Sequence, residues 1–305
     1  MDRQGVLVIG SMNFDAFYTL PRQMRLGENL HASNFQTACG GKGANQAVQC
    51  AKLQVPTCMA GCLGNDPQGD QIYAAMSGYG VDMRLVKRTQ TPTGNASIWV
   101  YPGGEVQAAI YGGANMCITR QEIEEIRPVL EKTAIVILQN EIPMETVEYA
   151  IASSKAAGCL VIYNAAPALP VSAQTLRAVD VLVVNEAEAS FYSGAQITGE
   201  ASAREGAQKL LQELNGALII TLGRSGSLIA EGSGVHLVPA RKVRAVETTG
   251  AGDSYVGALT YGLLRGQAVA AAAALATDAA AITVSSVGAQ PAMPTLKMLT
   301  VREKT

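Results

Sequence analysis

Short, continuous apolar runs alternate with stretches of helical periodicity along most of this 305-residue chain. The clearest runs fall at 6–9, 57–62, 135–138, 160–163, 181–184 and 217–221. Runs without polar interruption suit strands buried on both faces. Helices are predicted between them, at about 43–53, 67–78, 119–131, 143–157, 203–214, 252–264 and 267–284. Thr119 followed by Glu122 reads as a capping box. Pro143 suits a first helical turn, where its missing N–H is no loss. The alternation predicts an α/β fold with a mostly parallel central sheet and helices on both faces. The Ala-rich stretch 268–281 stays in register with a helix and reads as one that lets its neighbours approach closely.

Two regions break the pattern. Residues 12–38 contain no helical periodicity and carry strand-like segments. Residues 93–112 read as a hairpin, with strands at 95–101 and 106–111 around Pro102-Gly103-Gly104. Together they predict a small antiparallel β-sheet lid beside the main domain. The α/β domain then comprises 1–11, 39–92 and 113–305, and the lid 12–38 and 93–112. So small a sheet is marginal by itself. It must pack on the core, close over a ligand or pair with a second subunit.

Charge excludes some partners. Lys and Arg number 23 against 25 Asp and Glu, giving a net charge of −2 with no basic run. Nucleic acid and anionic membrane surfaces are therefore not expected. No apolar stretch approaches the ~18 residues of a membrane span, and the one after Gly5 is shorter than a signal-peptide core. The cysteines at 39, 50, 58, 62, 117 and 159 form no C-x-x-C pair and lie apart from His31 and His236. Zinc is not expected, and reduced thiols in a cytoplasmic protein are. His31 reads as a surface residue and His236 as part of a strand. Trp99 and Ile98 should point to opposite faces of their strand.

Candidate chemistry lies at the strand ends. Ligands of open α/β sheets bind beyond the carboxyl ends of the strands. There the chain places Gln139-Asn140-Glu141, Asn164, Asn185 through Glu188, and Leu222 through Gly226. Two glycine-rich segments add to these. Cys39-Gly40-Gly41-Lys42-Gly43-Ala44-Asn45 is no Walker A loop, because Gln36 and Gly43 stand where Gly and Ser or Thr are required. It offers backbone close to a ligand, with Lys42 and Asn45 at the mouth of a helix; the alternative is a plain strand–helix turn. Glu247-Thr248-Thr249-Gly250-Ala251-Gly252-Asp253 opens the next such helix. Free N–H groups there would hold the charge of a phosphoryl group in transfer. Asp253, kept ionised by the helix dipole, would take a proton from a substrate hydroxyl; its alternative role is helix cap.

Gly40 through Asn45, Asn185 with Glu188, and Gly250-Ala251-Gly252-Asp253 together resemble the ribokinase branch of the PfkB carbohydrate-kinase family. The likeness runs from Gly10 to Pro291. It implies a ribokinase-like fold, ATP-dependent phosphorylation of a sugar hydroxymethyl group, and a homodimer formed through the lid. It further implies Asn13, Asp15, Gly41, Lys42, Asn45 and Glu141 as sugar ligands, with Ala96, Ile98 and Ile110 as apolar lid contacts. Asp253 corresponds to the catalytic base and Gly250, Ala251 and Gly252 to the anion hole. Asn185, Thr221, Gly223, Ser225, Gly226 and Thr277 correspond to the nucleotide site, and Glu188 to a water-mediated Mg²⁺ ligand. A K⁺ site is implied at Glu247, Thr249, Thr283, Ser286 and Gly288, although Glu247 stands where relatives carry Asp and Ala292 where they carry Ser.

The leading substrate is ribose, with deoxyribose, another pentose or hexose, or a nucleoside as alternatives. A sugar phosphate would call for more basic residues than Arg22 and Arg25 in the lid. A nicotinamide oxidoreductase lacks its G-x-G-x-x-G. A silent sugar-binding subunit has no need of Asp253 and its glycines.

Overall fold

The computed structural model describes residues 3–103, 105–232 and 234–302. Gly104, assigned above to a turn, lies outside them. In chain order the strands are β1 (Val6–Ile9), β2 (Asn13–Thr19), β3 (Asn34–Gly40), β4 (Thr57–Gly64), β5 (Asp82–Thr89), β6 (Gly94–Val100), β7 (Val106–Tyr111), β8 (Ile135–Gln139), β9 (Leu160–Asn164), β10 (Val181–Asn185), β11 (Ala217–Thr221), β12 (Ser227–Glu231) and β13 (Gly234–Val238).

Nine of them form the large sheet, in the order β13-β12-β11-β10-β9-β8-β1-β4-β5. β12 pairs antiparallel with both β11 and β13, and all other neighbours are parallel. Side chains alternate between two apolar layers: Val6 and Val8 enter one, Leu7 and Ile9 the other. Helices Lys42–Lys52, Ala251–Leu264 and Val269–Thr283 cover the first layer, and helices Met144–Ala156 and Glu200–Leu210 the second. The Ala-rich helix does allow close approach: a Cβ added to Gly262 would stand 2.7 Å from that of Ala272. No helix among the described residues is long and apolar enough to cross a membrane.

Several elements differ from expectation. The 119–131 helix is two, Arg120–Glu125 and Arg127–Leu130, because Pro128 has no N–H to continue the ladder. The Thr119–Glu122 capping box is present. β5, a polar edge strand, offered no apolar run. Helix Glu186–Ser193 starts directly after β10, with Asn185 both strand end and N-cap. His31 and His236 are exposed, the latter on β13.

The small sheet has the order β3-β2-β6-β7. It is mixed rather than antiparallel, since β2 and β6 run parallel. Some seventy intervening residues make the crossover that a parallel pair needs. Asp15, Ala96 and Ile110 lie in one cross-strand row and so share a face. Tyr18 and Trp99, paired three positions further along, share the other face with Phe35.

In the large sheet the chain proceeds from β1 to β4 and β5 on one side, and from β8 through β11 on the other. The switch point is therefore the β1–β8 gap, where a crevice opens beyond the strand ends.

Candidate active site

Two helix N-termini meet beyond that gap. The first, at Gly41, follows β3; the second, at Gly250, precedes the helix that carries Asp253. The glycines of the first turn allow the chain to pack closely there. A Cβ on Gly41 would stand 2.8 Å from Asn13 N, and one on Gly43 2.8 Å from Ser11 N. Gly40 lies against the Asp15 carboxylate, leaving no room for a side chain.

Across the switch point, Ser11 Oγ after β1 donates to the Glu141 carboxylate after β8. The Lys42 main-chain N–H donates to the same carboxylate at 3.3 Å. Lys42 Nζ lies 4.0 Å from Glu141 Oε1. Burial works against the Lys42 ammonium, but Asp253, Glu141 and Glu188 outweigh it and hold the group above its ordinary value. Lys42 is the cationic centre of three carboxylates.

Asp253 sits in the first turn of its helix and is not its cap. That position belongs to Gly250, in left-handed conformation at φ 76° and without a side-chain cap. The first-turn N–H groups of Gly252 and Asp253 thus precede any intrahelical partner. A Cβ on Gly252 would meet nothing within 4 Å. This open cradle of amides has the size and polarity for an anion. Asp253 is buried, and burial raises its carboxyl above the usual range while Lys42, Asn45 and Gln46 draw it back. Desolvation is the largest of these influences. Asn45 Nδ2 donates to Asp253 Oδ2 at 2.9 Å, and Gln46 Nε2 to Oδ1 at 3.0 Å.

A cavity of about 240 Å³ joins this turn to Lys42, Asn164, Asn185, Glu188, Thr221 and Thr248. Asn185 and Glu188 cap their helix reciprocally, at 2.9 and 2.8 Å. Burial raises the Glu188 carboxyl, and its bond to the Asn185 N–H and the nearby Lys42 oppose the rise. Gly223, at φ 50°, and exposed Ser225 follow Thr221 in a single turn. Gly226, at φ 105°, lies so close to Val238 O that no side chain fits. Thr277 does not line this cavity, and its hydroxyl is bonded to Ala273 O at 2.9 Å.

On the far side of Lys42 lies the small sheet. Asn13 Oδ1 accepts from Asn115 Nδ2 at 2.7 Å, and Asn115 Oδ1 accepts from Met12 N at 2.9 Å. Asp15 Oδ1 is buried without a partner. Burial, and next the Glu141 charge, push its carboxyl up to about 7. Ala96 is buried, Ile98 half-buried, and Ile110 66% exposed. The site is thus open on the β7 side.

The two metal proposals fare differently. Among the described residues no three His, Cys, Asp or Glu side chains form a cluster able to hold a metal ion. Glu188, beside the cavity with one oxygen on Asn185, suits Mg²⁺ that keeps phosphates and waters as its main ligands. Of the cation set, Glu247 and Gly288 are brought together at 2.8 Å. The Thr283 hydroxyl is buried and donates to Ser254 at 2.8 Å, while Thr249 and Ser286 are exposed.

Several residues here had no role from sequence: Ser11, Gln46, Asn115 and Gln290. Buried Asn45, Gln46 and Gln49 on one apolar helix are a readable signal, since those spacings share a face. Asn115, in the short turn Gly113–Cys117, carries none. Asn140, counted above among crevice residues, instead binds Pro167 O at 2.8 Å and the Tyr192 hydroxyl.

A crevice at the switch point of a ribokinase-like α/β fold, with a buried carboxylate beside an amide cradle, defines a phosphotransferase acting on an alcohol group. The chain belongs to the pfkB family of carbohydrate kinases, whose model matches residues 3–296. It is similar to a ribokinase of Staphylococcus aureus (strain COL), 34% identical over 295 residues, covering 96% of this chain and 97% of the other. It is also similar to a deoxyribokinase of Salmonella typhi, 32% identical with 96% of each covered. Among solved structures it resembles Arabidopsis thaliana ribokinase complexed with ribose and ATP, with TM-score 0.91, 30% identity and all of both chains covered.

Proposed function

We propose that this chain transfers the γ-phosphoryl group of ATP to the hydroxymethyl oxygen of ribose, giving ribose 5-phosphate. The observation that carries the sugar assignment is Asp15 Oδ1, a buried acceptor with no partner. Such a group costs about 1–3 kcal/mol unless a ligand hydroxyl pairs with it. With Asn13, Lys42, Asn45 and Glu141 it forms a polar wall suited to a polyhydroxylated ligand, with Gly41 shaping the turn. Ala96, Ile98 and Ile110 present the apolar surface opposite. A sugar with more hydroxyls satisfies this wall better, which favours ribose over deoxyribose.

In this reading Asp253 accepts the hydroxyl proton as the sugar oxygen attacks phosphorus. Its raised proton affinity makes it a stronger proton acceptor than an exposed aspartate. Phosphoryl transfer relies on positioning and charge stabilisation. The Gly250 turn presents the amide of Gly252 to the moving negative charge, the Ala251 N–H being already bonded to Thr248 O at 3.2 Å, and Lys42 adds a cation. Asn185, Thr221, Gly223, Ser225 and Gly226 form the nucleotide wall, with Thr277 behind it. Mg²⁺ near Glu188 would neutralise phosphate charge when bound. Glu247 and Gly288, with Thr249, Thr283 and Ser286 nearby in sequence, would hold K⁺.

The small sheet, 12–38 with 93–112, acts as a lid over the sugar and excludes water. Its outer face carries Tyr18, Phe35, Trp99 and Tyr111; Phe35 is 56% and Tyr111 50% exposed. A second copy of the chain covering that face gives a homodimer. The enzyme is cytoplasmic, in keeping with free thiols at all six cysteines.

ADP release measured against ribose, deoxyribose, other pentoses, hexoses and nucleosides tests the reading. Ribose should give the highest kcat/KM. Preference for deoxyribose or a nucleoside would replace the substrate, and sugar binding without ADP release would make the chain a binding subunit.

A further inference from the structure

Asp253 is held by two chains of side-chain amides that enter from different parts of the fold. One begins at a main-chain oxygen, Val183 O, which can only accept. It receives Asn164 Nδ2 at 3.1 Å. Asn164 Oδ1 then faces Gln46 and accepts its Nε2 at 3.0 Å. The same Gln46 nitrogen gives its second hydrogen to Asp253 Oδ1 at 3.0 Å. Gln46 Oε1 is left to accept from Gln139 Nε2 at 2.7 Å. The second chain runs from Gln290 Nε2 to Asn45 Oδ1 at 3.1 Å and from Asn45 Nδ2 to Asp253 Oδ2 at 2.9 Å.

The first chain has a direction. Turning the Gln46 amide would set its oxygen against Asn164 Oδ1 and its nitrogen against the Gln139 nitrogen. Turning Asn164 as well would set oxygen against Val183 O. Only one arrangement satisfies every link, and it presents N–H to Asp253. The fold accepts a cost for this: Gln139 Oε1 is buried beside Gly10 with no partner. A buried acceptor without a partner is rare and calls for an explanation. Had Gln139 turned to relieve it, Gln46 would have lost its donor.

We infer that Gln46 is a positioning residue for the transfer step, a one-way donor that keeps Asp253 ionised and leaves its remaining lone pairs to the substrate hydroxyl. The inference rests on the kinase reading above and deepens it at the same site. Charged groups also face Asp253 from the elements around it: Lys42 from its own helix, Glu141 after β8, and Glu188 from the helix after β10. Lys42 favours the carboxylate and the two glutamates oppose it. The relay adds a fixed, uncharged donor to that balance, one that salt does not screen.

The test uses Gln46→Met, which keeps the side-chain length and removes the amide. The Asp253 carboxyl is titrated by ¹³C NMR in the ligand-free protein, its resonance identified by its loss in Asp253→Asn. The midpoint should rise by about one pH unit relative to wild type. The acid limb of kcat should move with it, about a tenfold loss of kcat on that limb, while KM for sugar and ATP stays unchanged. Gln139→Met, which leaves Gln46 against Asp253 but frees its amide to turn, should shift both in the same direction by less. It decides the matter if Gln46→Met does not fold. An unmoved titration, or a loss of kcat with an unmoved acid limb, overturns the inference. A wild-type protein that releases no ADP with any sugar would overturn the kinase reading alone, because the titration needs no substrate.

Discussion

The main-chain N–H of Gly288 donates to a carboxylate oxygen of Glu247 at 2.8 Å. The bond ties the segment before the Gly250 turn to the segment after helix Val269–Thr283. It fixes one Glu247 oxygen; in the proposed function the other would face a cation. Turnover is expected to be higher in K⁺ than in Na⁺ at equal ionic strength. Equal rates in the two salts would remove the cation from the proposed function.

Asp253 is buried among amide donors with a cationic Lys42 nearby. Asp253→Asn keeps the shape and removes the base. A loss of roughly 10²–10⁴ in kcat is expected, with sugar affinity by calorimetry retained. A wild-type rate would assign the base elsewhere.

Burial pushes the Asp15 carboxyl up to about 7 from an ordinary value of 3.8. Between those values the native state holds a proton that the unfolded chain has released. Stability from this group therefore falls as pH rises through that window. Asp15→Asn should flatten the slope, raising Tm relative to wild type at pH 8 more than at pH 4. Sugar hydroxyls pair best with the ionised form, so KM for sugar should fall as pH rises towards 7 and level off above it. A KM independent of pH would separate Asp15 from the sugar.

Asn115 is buried and clamps both Asn13 Oδ1 and Met12 N. Asn115→Ala leaves two buried groups without partners, a loss of about 1–3 kcal/mol for each. A lower Tm and a higher sugar KM are expected together. A fall in Tm with KM unchanged would show that Asn13 holds its place without the clamp.

Trp99→Lys places a charge on the outer face of the small sheet. Sedimentation should change from dimer to monomer if that face is the interface. A wild-type protein already monomeric would leave the lid to act within one chain.

The hydrophobic pattern alone determined the parallel core. β1, β8, β9, β10 and β11 are apolar at nearly every position, because each is buried on both faces, and that demand is written locally. The helix starts at Gly41 and Gly250 were equally legible, since a left-handed φ calls for glycine at those points. Polar residues at strand ends were visible as a set, but their separate uses were not: Asn164 enters the amide relay while Asn140 holds a loop. Tertiary structure decided those uses, because a side-chain amide has two ends and only its neighbours determine which end faces which group. It also decided the proton affinity of Asp253 and Asp15. Burial is a property of everything packed around a carboxyl, contributed by segments as distant as Asn45 and Gln290, and no local stretch of sequence contains it.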